Sequence, residues 1–233
     1  MPSSRRKRRL IELLNEKRAA LISHAVTKGL DPSVAMRPSG VEWIGEIPAH
    51  WTVKRVWMMF ELGRGRVISH EDIAQHPGPY PVYSSQTAGE GVMGNIDTYD
   101  FDGKYLTWTT DGAHAGTVFE RSGKFNCTNV CGTLLPRSSL SLGFMRHAVD
   151  LATAWFVRHD INPKLMNNVM AAIQIQVPPV REQERIYSKI LDLSATMQPL
   201  MRAVNSAIDR RQEYRAALIS AAVTGQIDVR GEV

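Results

Sequence analysis

The sequence predicts an α/β (α+β) protein in which one globular domain with a mixed or antiparallel sheet is flanked by long helices. Three observations support this fold class. Residues 181–225 carry apolar side chains at seven-residue intervals, which is typical of a helix packed along another helix. Residues 52–179 instead contain short extended runs separated by Gly and Asp, which is typical of strands and turns. Residues 16–31 and 213–228 resemble each other, so related helices bracket the domain.

These patterns divide the 233-residue chain into four predicted parts. They are an N-terminal helix (1–30), a globular domain (31–180), a long C-terminal helix (181–226) and a tail (227–233). The first helix is predicted to end near Lys28, where Gly29 follows. Its basic run fits either a contact with nucleic acid or phosphate, or a solvated first turn, and we favour the second.

The globular domain opens with a predicted strap at residues 32–51, rich in Pro, Gly and Trp and without regular structure. One helix is predicted at Ser141–His159 from its apolar face. Turns are predicted at Asp102-Gly103, Asp111-Gly112 and Ser122-Gly123. The predicted strands are Pro81–Ser85, Lys104–Thr110, Gly116–Glu120, Phe125–Leu135 and Ile173–Val177.

The C-terminal helix would be about 67 Å long at roughly 1.5 Å per residue, which exceeds the width of a small domain. We therefore expect it to pack on a partner. Pro199 is predicted to kink or split this helix, and Gly225 to end it. Residues predicted to pack between helices or subunits are Leu14, Leu21, Ile186, Ile190, Leu193, Met197, Leu200, Val204 and Leu218.

The two helical ends are related by an internal repeat. Residues 16–31 (EKRAALISHAVTKGLD) and 213–228 (EYRAALISAAVTGQID) are identical at 11 of 16 positions, with a constant offset. Alanine-rich helices resemble one another by chance, but here Glu, Arg, Ser, Thr and Asp are shared in one register. Duplication is therefore the better explanation.

Composition excludes several classes of protein. With 43% hydrophobic and 22% charged residues, the chain matches an ordinary globular protein. Neither a membrane-spanning run nor a signal peptide is evident, so we expect a cytoplasmic location. Cys127 and Cys131 are too few for a zinc site and are predicted to be buried free thiols. The net charge of +5 arises in residues 1–30, which leaves the rest near neutral.

No catalytic pattern is recognisable in the sequence. It lacks a phosphate-binding loop and the (D/N)PP(Y/F) tetrapeptide used in amino-methyl transfer, and its histidines are dispersed. We therefore expect a non-catalytic binding protein without a cofactor or metal of its own.

Polar side chains on predicted turns could form hydrogen bonds with nucleic acid. Asn and Gln match adenine edges, Ser and Thr contact several bases, and Arg or Lys contact guanine or phosphate. The same small polar residues also mark hairpin turns in proteins of any function. The candidate base contacts are Ser85, Gln86, Thr87, Thr110, His114, Asn126, Thr128 and Asn129. The candidate phosphate contacts are Lys54, Arg64, Arg66, Arg121 and Lys124.

Six stretches carry a family resemblance and cover nearly the whole chain in order. They read EKRAALISHAVTKGLDP, SGVEWIGEIPAHW, YPVYSSQT, FDGKYLTWTTDGAHAGTV, GKFNCTNVCG and VPPVREQERI. With them the chain resembles the DNA-specificity subunits of type I restriction–modification systems. That resemblance implies sequence-specific binding of double-stranded DNA, with one target-recognition domain reading half of a bipartite target.

The resemblance also implies partners. Methyltransferase (modification) subunits and a restriction subunit would carry out methyl transfer and cleavage, and the helices would form an antiparallel coiled-coil-like spacer. Family subunits contain two recognition domains, whereas this chain has one. We therefore expect either a half subunit that forms a homodimer on a split palindrome, or a fragment that needs a separate first half. The alternative is a coiled-coil structural or assembly protein whose globular domain binds protein.

Overall fold

The computed structural model describes residues 2–86, 88–158 and 162–224, with side chains from residue 9 onward. Its internal contacts divide the chain into two compact units. One comprises the described parts of Met1–Ile22 and Lys189–Val233, and the other is Ser23–Ser188. In the part of the chain described here, no helix is both long and apolar enough to cross a membrane.

Six helices and ten strands make up the described fold, with a short 3-10 turn at Ala88–Gly91. The helices are α1 (Pro2–Lys28), α2 (Val56–Met59), α3 (His70–Gln75), α4 (Leu142–Thr153), α5 (Asn167–Ala172) and α6 (Val180–Val223). The first strands are β1 (Met36–Pro38), β2 (Glu46–Pro48), β3 (Thr52–Arg55), β4 (Phe60–Arg64) and β5 (Pro77–Tyr83). The others are β6 (Val92–Ile96), β7 (Phe101–Thr109), β8 (Val118–Cys127), β9 (Cys131–Pro136) and β10 (Gln174–Val177).

A six-stranded sheet in the order β4-β9-β7-β8-β5-β6 is the centre of the larger unit. Strands β5 and β8 run parallel, whereas the other neighbouring pairs run antiparallel. The predicted α/β class with a mixed sheet is therefore confirmed. Two further antiparallel pairs, β1-β2 and β3-β10, lie outside this sheet. The β1-β2 pair occupies the strap that was predicted to lack regular structure.

Helix α4 covers the sheet and packs on β7, β8 and β10. Its buried face carries Phe144, Met145, Ala148, Val149 and Ala152, in agreement with the predicted helical period. The helix ends at Thr153 and is therefore shorter than predicted. The Thr153 hydroxyl donates to the Gly116 carbonyl at 2.8 Å. The predicted last residue, His159, lies outside the described residues.

Two predicted turns lie inside the longest hairpin, which β7 and β8 form, and these two predictions are wrong. Gly103 and Gly123 face each other across β7 and β8, with φ angles of +133° and +80°. Glycine adopts these angles without a Cβ penalty, so the strands continue through them. The predicted continuous strand Phe125–Leu135 is also wrong. It breaks at residues 128–130, where the Cys131 amide donates to the Thr128 carbonyl at 3.0 Å.

The two long helices confirm one predicted end and correct one predicted break. Helix α1 ends at Lys28, and Gly29 follows with a φ of +80°. Helix α6 continues through Pro199, so the predicted split is wrong. A proline removes a single N–H donor, and the hydrogen bonds of the turns on either side maintain the helix. Within the smaller unit, Arg18 donates to the Ser194 hydroxyl at 3.1 Å.

Candidate nucleic-acid interface

Three polar loops meet around the turn at residues 128–130, which we call the central turn. The Thr128 amide donates to the Tyr83 carbonyl at 2.8 Å, which attaches the loop that follows β5. The Thr110 amide donates to the Val130 carbonyl at 2.9 Å, which attaches the loop that follows β7. The tertiary fold therefore brings together three segments that are separated in sequence.

Two basic residues at the end of β4 join this group. The Arg64 guanidinium donates to the Asn129 carbonyl at 2.6 Å, and the Arg66 amide donates to the Cys127 carbonyl at 3.1 Å. Both side chains are exposed. The Arg66 guanidinium also forms an ion pair with Asp100 at 2.9 Å, so part of its charge is neutralised. Arg64 is the less compensated cation of the two.

Several predicted base contacts are accessible around the central turn. Gln86, His114 and Asn129 are exposed, and Ser85 is half-buried. Thr87 lies outside the described residues. Their amide, imidazole and hydroxyl groups can donate and accept hydrogen bonds, which is the chemistry needed to read base edges.

Four other predicted DNA contacts have buried side chains. Thr110, Asn126, Thr128 and Arg121 are each at most 4% exposed. The Asn126 amide donates to the Thr98 carbonyl at 2.7 Å, and the Thr110 hydroxyl donates to Asp111 at 2.9 Å. Their side chains face the protein, so in this structure they support the loops and do not present groups to DNA.

Arg121 is the most unusual of these buried residues. Its guanidinium lies 3.6 Å from the centre of the Tyr83 ring and 4.5 Å from that of Phe119. It also donates to the Glu90 carbonyl at 2.6 Å. Burial lowers the pKa of this guanidinium. Cation–π contacts and the carbonyl hydrogen bond offset the loss of hydration, and together they hold the turn at Ala88–Gly91.

The remaining two predicted phosphate contacts lie elsewhere on the larger unit. Lys54 is on β3, opposite Ile175 of the separate β3-β10 pair. Lys124 is on β8 with its ammonium 4.3 Å from the centre of the Tyr99 ring, and a hydrogen bond with Tyr99 raises the lysine pKa. No described contact joins either lysine to the central turn.

The segment between α4 and α5 was missed by the sequence analysis but contacts the loop after β7. The Leu165 amide donates to the Thr110 carbonyl at 2.9 Å, and the Gly112 amide donates to the Pro163 carbonyl at 3.0 Å. Lys164 forms an ion pair with Asp111 at 3.4 Å. The Asn-Pro-Lys sequence here is a turn signal that could have identified this loop.

The thiols beside the central turn are buried, as predicted. The Cys127 pKa is raised well above its usual range by the hydrogen bond with Cys131 and by burial. In the described residues, no three His, Cys, Asp or Glu side chains are grouped to hold a metal ion. The exposed side chains of this surface offer amide, imidazole and guanidinium groups for hydrogen bonding.

The helix residues predicted to pack between helices or subunits differ in exposure. Ile186, Ile190 and Met197 are buried, whereas Leu14, Leu193 and Val204 are half-buried. Leu21, Leu200 and Leu218 are between 41% and 50% exposed. The predicted seam is therefore covered at Ile186, Ile190 and Met197, whereas Leu200 and Leu218 further along α6 are exposed.

Comparison with known proteins places this architecture in a family. The family model for the type I restriction modification DNA specificity domain matches residues 48–210, which include the sheet, α4 and much of α6. The chain belongs to this family. One specificity-domain relative in Mycoplasma pneumoniae, named as the N-terminus of a type I specificity subunit, is 44% identical over 134 residues. That match covers 57% of this chain and 71% of the relative.

Other specificity-domain relatives are longer than this chain. The MpnII type I restriction enzyme specificity subunit of the same organism is 36% identical over 156 residues, covering 66% of this chain and 47% of the relative. An HsdS subunit from Thermoanaerobacter tengcongensis shares the fold with a TM-score of 0.63 at 14% identity. That structural match covers 97% of this chain and 56% of the other. The chain thus spans about half the length of these relatives.

Proposed function

We propose that this chain is a sequence-specific DNA-binding specificity subunit of a type I restriction–modification complex, recognising one half of a bipartite target. The observation that carries the proposal is the convergence of three polar loops and Arg64 on the central turn, within a domain of the specificity family. Base readout is assigned to the exposed Gln86, His114 and Asn129, together with the half-buried Ser85.

The chain supplies recognition, and its partners supply catalysis. Methyltransferase and restriction subunits are the proposed partners, in a cytoplasmic complex. Apart from its first 30 residues the chain is close to neutral, so it neutralises few DNA phosphates by itself. Partner subunits that close around the DNA would provide the remaining phosphate contacts.

The internal repeat supports pairing of this chain with a second half of the specificity subunit. In the first copy, Val26 is fully buried and its carbonyl accepts from the buried Gln176 amide at 3.0 Å. We call the surface around Gln176 and Trp51 that receives this end of α1 the helix socket. In the second copy, the equivalent Val223 is 81% exposed. An identical side chain at the same helical position therefore lacks an equivalent socket.

Two partners would supply that second socket. A second copy of this chain would give a homodimer, but the helix socket of each copy is already filled by its own α1. A separate half subunit that lacks such a helix would offer an empty socket. The occupied socket therefore favours the separate half, whereas displacement of α1 would allow the homodimer.

Co-expression with the methyltransferase subunit, followed by mapping of methylated adenines in host DNA, tests this function. A split methylated motif is expected, palindromic for a homodimer and asymmetric when a separate half is supplied. Gln86→Ala or Asn129→Ala should relax one base position by about 1–3 kcal/mol of discrimination. Arg64→Gln should lower methylation, because it removes a proposed phosphate contact and the hydrogen bond to the Asn129 carbonyl. A folded complex that methylates no motif with any partner half would contradict the proposal.

A further inference from the structure

Gly65 lies so close to the central turn that there is no room for a side chain. A Cβ atom built on Gly65 would be 2.1 Å from the Cys127 carbonyl oxygen and 2.4 Å from the Thr128 carbonyl oxygen. In folded proteins a Cβ atom essentially never lies closer than 3.0 Å to such an atom. The φ angle of Gly65 is not positive, so its backbone conformation is open to other residues. Glycine is therefore required here by the close approach of two backbone segments.

The segment at residues 64–66, which we call the β4 clamp, holds both ends of the central turn. The Gly65 amide donates to the Cys131 carbonyl at 3.1 Å, immediately after the turn. The Arg66 amide donates to the Cys127 carbonyl at 3.1 Å, immediately before it. Two consecutive backbone amides thus fix the separation and the orientation of the two ends.

The middle of the central turn carries a side chain assigned to base readout. Thr128 is 4% exposed and Val130 is half-buried, so Asn129 is the exposed residue of the turn. The Arg64 guanidinium donates to the Asn129 carbonyl at 2.6 Å, so the β4 clamp also holds the backbone from which this side chain extends. Displacement of the β4 clamp would therefore displace Asn129.

We propose that Gly65 is a positioning residue for sequence recognition, which sets the place of Asn129 on a base edge. Any side chain at this position would have to move the Cys127 carbonyl oxygen from 2.1 Å to at least 3.0 Å. Groups of a recognition site must be held within about 0.5 Å of their productive geometry. The displacement exceeds this tolerance, so the hydrogen bonds of Asn129 with the base would be lost. This inference rests on the proposed function and adds a residue that acts through Asn129.

A role in folding alone is the alternative, and a second glycine provides the matched control. A Cβ atom on Gly78 would be 2.2 Å from the Asp97 Cα, so Gly78→Ala meets a backbone clash of the same size. Gly78 is near the start of β5, whereas Tyr83 at the end of β5 contacts the central turn. Both substitutions should destabilise the chain, but only Gly65→Ala should alter base recognition.

The test replaces the wild-type chain in the methyltransferase complex that methylates the split motif. Duplexes that carry each single base substitution of the motif are compared with the intact motif, and the ratio of methylation rates gives the discrimination at each position. Gly65→Ala should lower discrimination about ten-fold at the position that Asn129→Ala relaxes. The double variant should lose no more than Asn129→Ala alone, because both changes remove the same contact. Gly78→Ala should keep the wild-type motif.

Arg64→Ala tests the β4 clamp without a backbone clash, and it decides the matter if Gly65→Ala does not fold. It removes an exposed side chain together with the hydrogen bond to the Asn129 carbonyl. It should relax the same base position, whereas loss of a phosphate contact alone would lower methylation of all duplexes equally. Lys104→Ala removes an exposed cation of β7 and should keep the wild-type motif.

The outcomes separate this inference from the proposed function. A wild-type motif in folded Gly65→Ala, or in Arg64→Ala if Gly65→Ala does not fold, would overturn the inference and leave the proposed function intact. Relaxation of the same position by Gly78→Ala would also overturn it, by attributing the effect to lost stability. Failure of the wild-type complex to methylate a split motif would instead reject the proposed function.

Discussion

At the scale of single residues, burial decides which polar side chains can meet a ligand. Arg121 and Gln86 were both predicted to contact DNA, because both are polar residues near predicted turns. In the structure Arg121 is 4% exposed and Gln86 is on the surface. Arg121 supports the turn at Ala88–Gly91 through the Glu90 carbonyl, so it positions the loop that carries Gln86. Under the proposed function, its effect on DNA recognition is therefore indirect.

Replacing Arg121 with Lys should lower the free energy of unfolding by about 1–2 kcal/mol. Lysine keeps the charge but loses the planar stacking between Tyr83 and Phe119. Urea denaturation of the chain measures this change. The same substitution at exposed Arg55 is the control, and it should stay within about 0.5 kcal/mol of wild type. Equal stability of the two variants would show that the stacking contributes nothing.

Asp150 gives a prediction about pH. Its carboxylate accepts from the Val118 amide at 2.9 Å, yet burial raises its pKa above the usual range. Between the usual and the raised pKa, the native state holds a proton that the unfolded state has released. The contribution of Asp150 to stability therefore falls as pH rises through this window.

Asp150→Asn removes this titration and keeps an acceptor for the Val118 amide. The stability of wild type relative to Asp150→Asn should therefore decrease as pH rises above the usual titration range of an aspartate. Urea midpoints of both proteins across that range provide the measurement. A difference that stays constant with pH would mean that Asp150 has no raised pKa in the native state.

At the scale of elements, the two copies of the helical repeat differ in burial. Helix α1 ends in the helix socket, where Val26 is buried and Gly29 lies against Trp51. The described part of the second copy, at the end of α6, has no such contact, and its residues 213–220 are all exposed. Local propensity forms both helices, whereas tertiary contact covers only the first. Helical stability of this kind depends mainly on packing of an apolar face.

The repeat supplies a matched pair of substitutions. Val26→Ala should lower the free energy of unfolding by about 2 kcal/mol, because it removes fully buried methyl groups. Val223→Ala, at the equivalent position, should change it by less than about 0.5 kcal/mol. Denaturant titration of the isolated chain measures both effects. Val223→Ala should instead weaken association with the proposed second half, measured by analytical ultracentrifugation. An equal loss of stability in both variants would contradict the proposed role of the second copy.

At the scale of the whole molecule, the chain contains one recognition domain and two copies of a helical end. This composition matches about half of the longer relatives. Under the proposed function, this domain reads one half-site and a second recognition domain reads the other. In the proposed complex the long helices would set the distance between the two domains, and Leu200 and Leu218 of α6 are exposed.

The family was indicated by the resemblance of six sequence stretches, and the fold class followed from local sequence patterns. Seven-residue spacing in residues 181–208 predicts a helix, and Gly29 ends α1 by its own conformational freedom. Alternating short runs with polar turns produce strands for the same reason. Gly103 and Gly123 were misread, since a glycine pair marks either a turn or an irregular position inside a hairpin. Only pairing between distant strands distinguishes these two outcomes.

The composition of the candidate site was decided by tertiary structure. Sequence placed Gln86, Asn129 and Arg64 among the candidates by residue type, but it also included Asn126 and Arg121, which the sheet buries. The segment around Lys164 was omitted, since its importance comes from contact with a loop more than 50 residues away. Which side chains share a surface depends on long-range pairing and burial, and these are set by the packing of the sheet against α4.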